Sequence, residues 1–312
     1  MESIWQKPAD IQAVLATIYK ETLKHPNIGK VADYIPALAQ VNPDQAALTV
    51  ATIDGNIYSV GDDNTAFSMQ SVSKVFGLVM AMARLGDDLW LRVNMEPSGL
   101  PFNSIVQLEW EKGIPRNPVI NAGAILVADV LVSHYSASRS AVINFIRQLA
   151  DDDNIFVDQN VYQSEIEHGN LNAALAYLMK SFGNIEANVQ EVLEHYFYQC
   201  SIAITAKQLA KSLVFLANKG INPNTGKMVC SRHDTHKINA ILSTSGMYDQ
   251  SGEFAFSVGL PAKSGVGGAI IAVVPNFGVI TSWSPKLNKF GNSSRAISMI
   301  KAVAEQLGLS VY

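Results

Sequence analysis

The chain has 312 residues, 48% of them hydrophobic and 16% charged, which excludes a disordered chain and suits one large domain or two intimate subdomains. A formal net charge of −4 gives no electrostatic reason for a nucleic-acid or anionic-membrane partner. Two cysteines, Cys200 and Cys230, are too few for a disulfide scaffold, and Met1-Glu-Ser-Ile-Trp-Gln-Lys7 lacks a basic stretch leading into an apolar one, so a cytoplasmic protein is expected.

Helical periodicity runs from about Ala9 to Lys24, with Ile11, Val14, Leu15 and Ile18 on one stripe. Ala46–Ile53 and Asn56–Val60 are β-branched runs joined at Asp54-Gly55, a strong hairpin signal. A helix is predicted from Ser71 to Leu85, closed by Gly86-Asp87. The middle of the chain reads mostly as helices: Asn121–His134, Ser140–Leu149, Tyr162–Lys180, Asn188–Tyr198 and Ala206–Asn218. Strands are predicted at Phe254–Val258, Gly268–Val274 and Gly278–Trp283, then a last helix from Ser293 to Gln306. The apolar stretch from Gly267 to Trp283 is broken by Pro275-Asn276, so it reads as two strands and a turn, not as a membrane span. The expected class is α+β: an antiparallel sheet built from both chain ends, flanked by helices, with a large helical insert. Residues 24–312 would form a single catalytic unit, mixed α/β over 24–75 and 250–312 and helical over 76–249. Residues 1–23 would supply an N-terminal helix packed on it.

Ser71-Val-Ser-Lys74 opens the helix that follows the hairpin. Residues three apart share a helix face, so the Ser71 hydroxyl and the Lys74 amine could meet, near free N–H groups suited to an oxyanion. Ser298-Met-Ile-Lys301 repeats the spacing inside the last helix but follows no turn, and reads as an ordinary amphipathic face. Lys263-Ser-Gly265 precedes an apolar strand, as in penicillin-recognising serine enzymes, which makes the N–H groups of Ser71 and Val266 candidate oxyanion donors. A free lysine is neutral in only about one molecule in 2,500 at pH 7. Lowering its pKa by ~3 units takes about 4 kcal/mol, which burial and a second cation, Lys263, could supply. Tyr248 is the available proton relay. Cys230-Ser-Arg-His-Asp-Thr-His236 has ligand-like residues but reads as a polar loop, and no metal or organic cofactor is expected.

Gly29-Lys-Val-Ala-Asp-Tyr-Ile-Pro-Ala-Leu38, Gln70-Ser-Val-Ser-Lys74, Asn117-Pro-Val-Ile-Asn-Ala-Gly-Ala124 and Gln163-Ser-Glu165 with Asn172 resemble segments of the serine-dependent glutaminase family. So do Tyr196-Phe-Tyr-Gln-Cys-Ser201, Gly246-Met-Tyr-Asp249 and Lys263-Ser-Gly-Val266, in the family's order from about Lys24 to the C-terminus. The resemblance implies a β-lactamase/transpeptidase-like fold and an amidohydrolase that cuts L-glutamine to L-glutamate and ammonia. It implies Ser71, Lys74 and Tyr248 as catalytic residues, and a pocket of Ser71, Asn121, Glu165, Asn172, Tyr196, Tyr248 and the backbone of Val266, with Tyr34 and Gln70 nearby. Glu165 is the natural partner for the substrate ammonium. A homo-oligomer, dimer or tetramer, is also implied. The alternative is a β-lactamase- or peptidase-like hydrolase using the same serine and lysines.

Overall fold

The computed structural model describes residues 10–99 and 104–312. Helix α1 (Ile11–Leu23) is capped by Asp10, which accepts the Ala13 N–H at 2.9 Å, and it buries Ile11, Leu15 and Ile18 as one stripe. Its expected start at Ala9 lies outside the described residues. Strands β1 (Ala47–Thr52) and β2 (Ile57–Gly61) form the hairpin read at Asp54-Gly55, with Gly55 at φ +88° in the region open to glycine. After the short β3 (Phe67–Ser68), Gln70–Ser73 is a 3₁₀ turn, and α2 (Lys74–Leu85) begins only then. The helix expected from Ser71 thus starts three residues later. Gln70 takes φ +49°, and the Ser73 hydroxyl donates to its carbonyl at 2.7 Å, which tightens the backbone into the narrower turn.

Helix α3 (Ile105–Trp110) was not anticipated; α4 (Asn121–His134) has the predicted limits, and α5 (Ser138–Ala150) and the short β4 (Phe156–Val157) follow. The single helix expected over Tyr162–Lys180 is two, α6 (Gln159–His168) and α7 (Asn170–Ser181), parted at Gly169. A Cβ at Gly169 would sit 2.2 Å from the Phe197 ring, so its absence lets α6 press against α8 (Val189–Cys200). Then come β5 (Ile202–Ile204), α9 (Ala206–Leu213) and α10 (Arg232–Ser245). The last of these replaces most of the polar loop expected around Cys230–His236; Ser231 caps it by accepting the Asp234 N–H. The strand expected at Phe254–Val258 is also corrected: α11 (Ser251–Ser257) buries Phe254 and the following Val258 while Phe256 is 94% exposed. In a strand all three would share a face; on a helix only residues four apart do.

Strands β6 (Ala262–Ser264), β7 (Ala269–Val274) and β8 (Gly278–Trp283), then α12 (Ser294–Leu307), complete the chain. The main sheet has the order β2-β1-β8-β7-β6 with every pairing antiparallel, so both chain ends build it; β3-β5-β4 is a small second sheet. One face carries Leu48, Val50, Ile270 and Ile280 against α1 and α12. The other carries Ile271, Val273, Val279 and Trp283 into the core shared with the helices. Lys263 is paired across the ladder with Ile271 and so faces the helical side. Helices α2 and α4 are apolar nearly all round and run through that core, which places Lys74, the first residue of α2, deep inside.

Candidate active site

The site forms where the turn before α2 meets the start of α4, the inner faces of α6 and α8, and the β6–β7 connection. Ser71 lies in the 3₁₀ turn and is 8% exposed; Lys74 is 1% exposed. The Lys74 amine donates to Asn121 Oδ1 at 2.7 Å and to the Val119 carbonyl at 3.3 Å. These acceptors are held in turn. Asn121 Nδ2 donates to Asn172 Oδ1 at 3.0 Å, and buried Asn117 accepts the N–H groups of Val119 and Ile120, arching that loop toward the lysine. Asn121 is the first residue inside α4, not its cap, which leaves its amide free for these contacts. Gly123 permits the arch, since a Cβ there would meet the Asn117 carbonyl at 1.9 Å.

Instead of bonding Ser71, the Lys74 amine donates to this pair of acceptors, and the Ser71 side chain lies near the Tyr248 hydroxyl. Tyr248 stands at φ +53° in a 3₁₀ turn just after α10, and its hydroxyl donates to the Ser264 carbonyl at 3.3 Å. That carbonyl accepts from Lys263 Nζ too, at 2.6 Å, and Lys263 donates to the Gly246 carbonyl at 3.2 Å. Gly246 allows the approach of α10 to β6, since a Cβ there would overlap the Ala262 carbonyl at 1.7 Å.

Burial dominates the electrostatics of both site lysines. Burial lowers Lys74 to about 8, while the side chains of Cys200 and Glu165 push it the other way. Burial also lowers Lys263 well below the usual lysine range, and there the neighbouring Lys74 adds to the effect. Desolvation is therefore the largest influence that disposes Lys74 to lose its proton, and the repulsion between the two buried amines, which is mutual, disfavours charging both at once. Glu165, 5% exposed on α6, is raised to about 7 by burial, against a hydrogen bond from Gln70 and the charge of Lys74. Tyr196, 3% exposed on α8, has its ring centroid 5.9 Å from Lys74 Nζ, and burial raises its hydroxyl far above the ordinary tyrosine value.

Val266 borders the same space. The N–H groups of Ser71 and Val266 are not among the donors to backbone carbonyls in the described residues, and a Cβ on Gly265 would lie 3.3 Å from Ser71 N. The two donors are therefore neighbours. Tyr34, 59% exposed, stands within electrostatic reach of Glu165 and Tyr248. Ser71, Lys74, Asn121, Glu165, Asn172, Tyr196, Tyr248 and Val266 are thus brought together from seven separated stretches of chain. Residues without an assigned role in the sequence reading also belong here: Val119 through its carbonyl, Asn117 behind it, Ser73, and Cys200. The thiol of Cys200 contacts Ser73 and Tyr196 and is pushed up to about 12 by burial. Among the described residues no group of three or more His, Cys, Asp or Glu could hold a metal ion, and no helix is long and apolar enough to cross a membrane.

A family model described as glutaminase matches residues 29–312. The chain belongs to the glutaminase family. It is 50% identical over 307 residues to a glutaminase of Rhizobium rhizogenes (strain K84), covering 97% of this chain and 99% of that one. Among solved structures, it is similar to the probable glutaminase ybaS, at 36% identity and a TM-score of 0.93, covering 98% of this chain and 99% of that one. It is also similar to Mglu in its glutamate form, at 32% identity and a TM-score of 0.91, covering 98% of this chain and 70% of that one. The chain is accordingly an amidohydrolase with the β-lactamase-like α+β fold of its relatives.

Proposed function

We propose that the chain hydrolyses the side-chain amide of L-glutamine to L-glutamate and ammonia through a γ-glutamyl ester on Ser71. The observation that carries this reading is the state of Lys74. A neutral amine has two N–H donors and one lone pair, and Lys74 has two acceptors in place, Asn121 Oδ1 and the Val119 carbonyl. With both donors engaged, the lone pair remains to take a proton. Burial that lowers the amine to about 8 makes the neutral form accessible near neutral pH.

In the first step Ser71 Oγ attacks the amide carbon while its proton passes to Lys74, directly or through Tyr248. The Cδ–Oγ bond forms and the carbonyl oxygen becomes an oxyanion, received by the N–H groups of Ser71 and Val266. The proton held by the lysine–tyrosine pair then moves to the amide nitrogen, the C–N bond breaks, and ammonia leaves. Water attacks the ester by the same route in reverse, losing its proton to the relay, and Ser71 regains one as glutamate departs. Glu165 pairs with the substrate ammonium, and Asn121, Asn172 and Tyr196 supply neutral hydrogen-bonding groups around the amino-acid end. The likeness to Mglu solved in its glutamate form supports a pocket of that size and polarity.

Ammonia release from glutamine tests the reading, together with trapping by hydroxylamine. Wild-type protein is expected to release ammonia and, with hydroxylamine present, to form γ-glutamyl hydroxamate. Ser71→Ala should lose turnover by at least about 10³-fold while still binding glutamate. Undiminished turnover in Ser71→Ala would overturn the acyl-enzyme.

A further inference from the structure

Resting on the reading above, we propose that Asn292 and Ser251 are positioning residues: they clamp the turn that carries Tyr248 and so set the direction of its hydroxyl. That turn joins α10, which ends at Ser245, to α11, which begins at Ser251. Within it Tyr248 stands at φ +53°, a left-handed conformation that a bulky side chain adopts only when its surroundings impose it. The restraint comes from side chains that hold the peptide groups on either side of Tyr248. Before it, the Met247 carbonyl accepts Asn292 Nδ2 at 3.0 Å and the Gln250 N–H at 3.1 Å. After it, the Tyr248 carbonyl accepts the Ser251 hydroxyl at 2.8 Å, and the Ser251 oxygen accepts the Met247 N–H at 3.0 Å. With both flanking carbonyls fixed, the φ of Tyr248 is no longer free, and neither is the direction in which its side chain leaves the backbone.

Asn292 is fully buried and comes from the turn before α12, 45 residues along the chain from Met247. A carbonyl can only accept, so the amide nitrogen of Asn292 must face Met247. That nitrogen also donates to Gln250 Oε1 at 3.0 Å, and Asn288 Nδ2 donates to the same oxygen at 3.0 Å. Asn288 Oδ1 in turn accepts the N–H groups of Phe290 and Asn292 at 2.9 and 3.2 Å, which shapes the turn that delivers Asn292. Asn292 Oδ1 has no hydrogen-bond partner among the described residues, so the position uses its amide as a donor. The same turn lies against the ring: a Cβ at Gly291 would be 3.7 Å from Tyr248 Cε2 and 3.9 Å from Val266 Cγ1. Backbone, ring and hydroxyl of Tyr248 are therefore each held, the last by donating to the Ser264 carbonyl at 3.3 Å. Asn292→Asp would keep the shape, lose the donors and set an oxygen against the Met247 carbonyl.

The test is steady-state glutamine hydrolysis with Asn292→Asp and Ser251→Ala, alone and with Tyr248→Phe, each variant checked for a retained melting transition. Either single variant is expected to lower kcat about tenfold, with the Kd for glutamate within about threefold of wild type. In the Tyr248→Phe background each should cost less than about twofold further, because the hydroxyl that the clamp directs is gone. A merely structural role would produce the same loss in both backgrounds. Wild-type kinetics in either single variant or in Tyr248→Phe would overturn the proposal. So would equal losses in the two backgrounds, or a glutamate Kd that weakens as much as kcat falls. Should Tyr248→Phe have no measurable turnover, the split between kcat and Kd decides alone; should Asn292→Asp not fold, Ser251→Ala decides by the same criteria. Failure of the parent reading is distinct: it shows as turnover in Ser71→Ala, whatever the Asn292 and Ser251 variants do.

Discussion

Glu165 and Lys74 have opposite needs, and both are set by burial. In the proposed mechanism the carboxyl, raised to about 7, must be ionised to hold an ammonium, and the amine, lowered to about 8, must be neutral to take a proton from Ser71. Both requirements fail as pH falls. Below pH 7 the logarithm of kcat/KM for the free enzyme should therefore rise by nearly two per pH unit, flattening above pH 8. Glu165→Gln leaves only the lysine, so its slope should drop to one, with kcat/KM reduced about tenfold to a hundredfold by loss of a charge-assisted bond. A pH–rate profile measures both slopes, and an unchanged slope in Glu165→Gln would remove Glu165 from the ammonium site.

Among the elements, the meeting of α10 with β6 does most to assemble the site. The Gly246 carbonyl accepts the Ser264 N–H at 3.1 Å and the Lys263 amine at 3.2 Å, so the end of the helix is stitched to the strand through one residue. Tyr248 follows two positions later, and its place beside Ser71 depends on that stitch. Gly246→Ala would drive a methyl into the Ala262 carbonyl, 1.7 Å away, and backbone on both sides leaves no flexible group to yield. The variant is expected to lose about 2–4 kcal/mol of stability, within the range for overpacking at a backbone contact. Its folded fraction should also lose most of its turnover. Urea unfolding alongside activity measures the pair, and a variant as stable and active as wild type would show that the helix end is not what positions Tyr248.

At the scale of the whole molecule, the buried titratable groups of the site oppose folding. Glu165 is raised in the folded state, so between about 4.5 and 7 the folded chain holds more protons than the unfolded one, and its contribution to stability falls as pH rises through that window. Lys74 is depressed, so between about 8 and 10.5 the unfolded chain holds more protons and stability rises with pH. Together the two groups place their greatest cost between pH 7 and 8, where the proposed mechanism needs them. Comparing urea unfolding of wild type and Glu165→Gln isolates the first limb: the variant's advantage should grow by about 3 kcal/mol from pH 5 to pH 8. A difference that stays flat across that range would mean that Glu165 is not desolvated in the folded chain. The rest of the fold offsets such a cost with α2 and α4 buried along most of their length and a sheet covered on both faces.

What could be read from the residues in order is whatever local physics decides. The Asp54-Gly55 hairpin, the limits of α4, strands β7 and β8 and the sheet closed by both chain ends follow from turn chemistry and hydrophobic period. The motifs around Ser71, Asn121, Glu165, Tyr196, Tyr248 and Lys263 led to the family. Short segments misled where two periods fit the same few residues: Phe254–Val258 proved helical because Phe256 faces away, and a glycine packing against Phe197 divided α6 from α7. The partners of the site groups were decided only by tertiary structure. Lys74 is held by atoms 45 and 47 residues away, and the carbonyl of Cys200 receives a hydroxyl from 132 residues away. A sequence lists the donors and acceptors, but which of them meet in a desolvated space depends on how the helices and sheet pack, and that desolvation is what brings the Lys74 amine toward its neutral form.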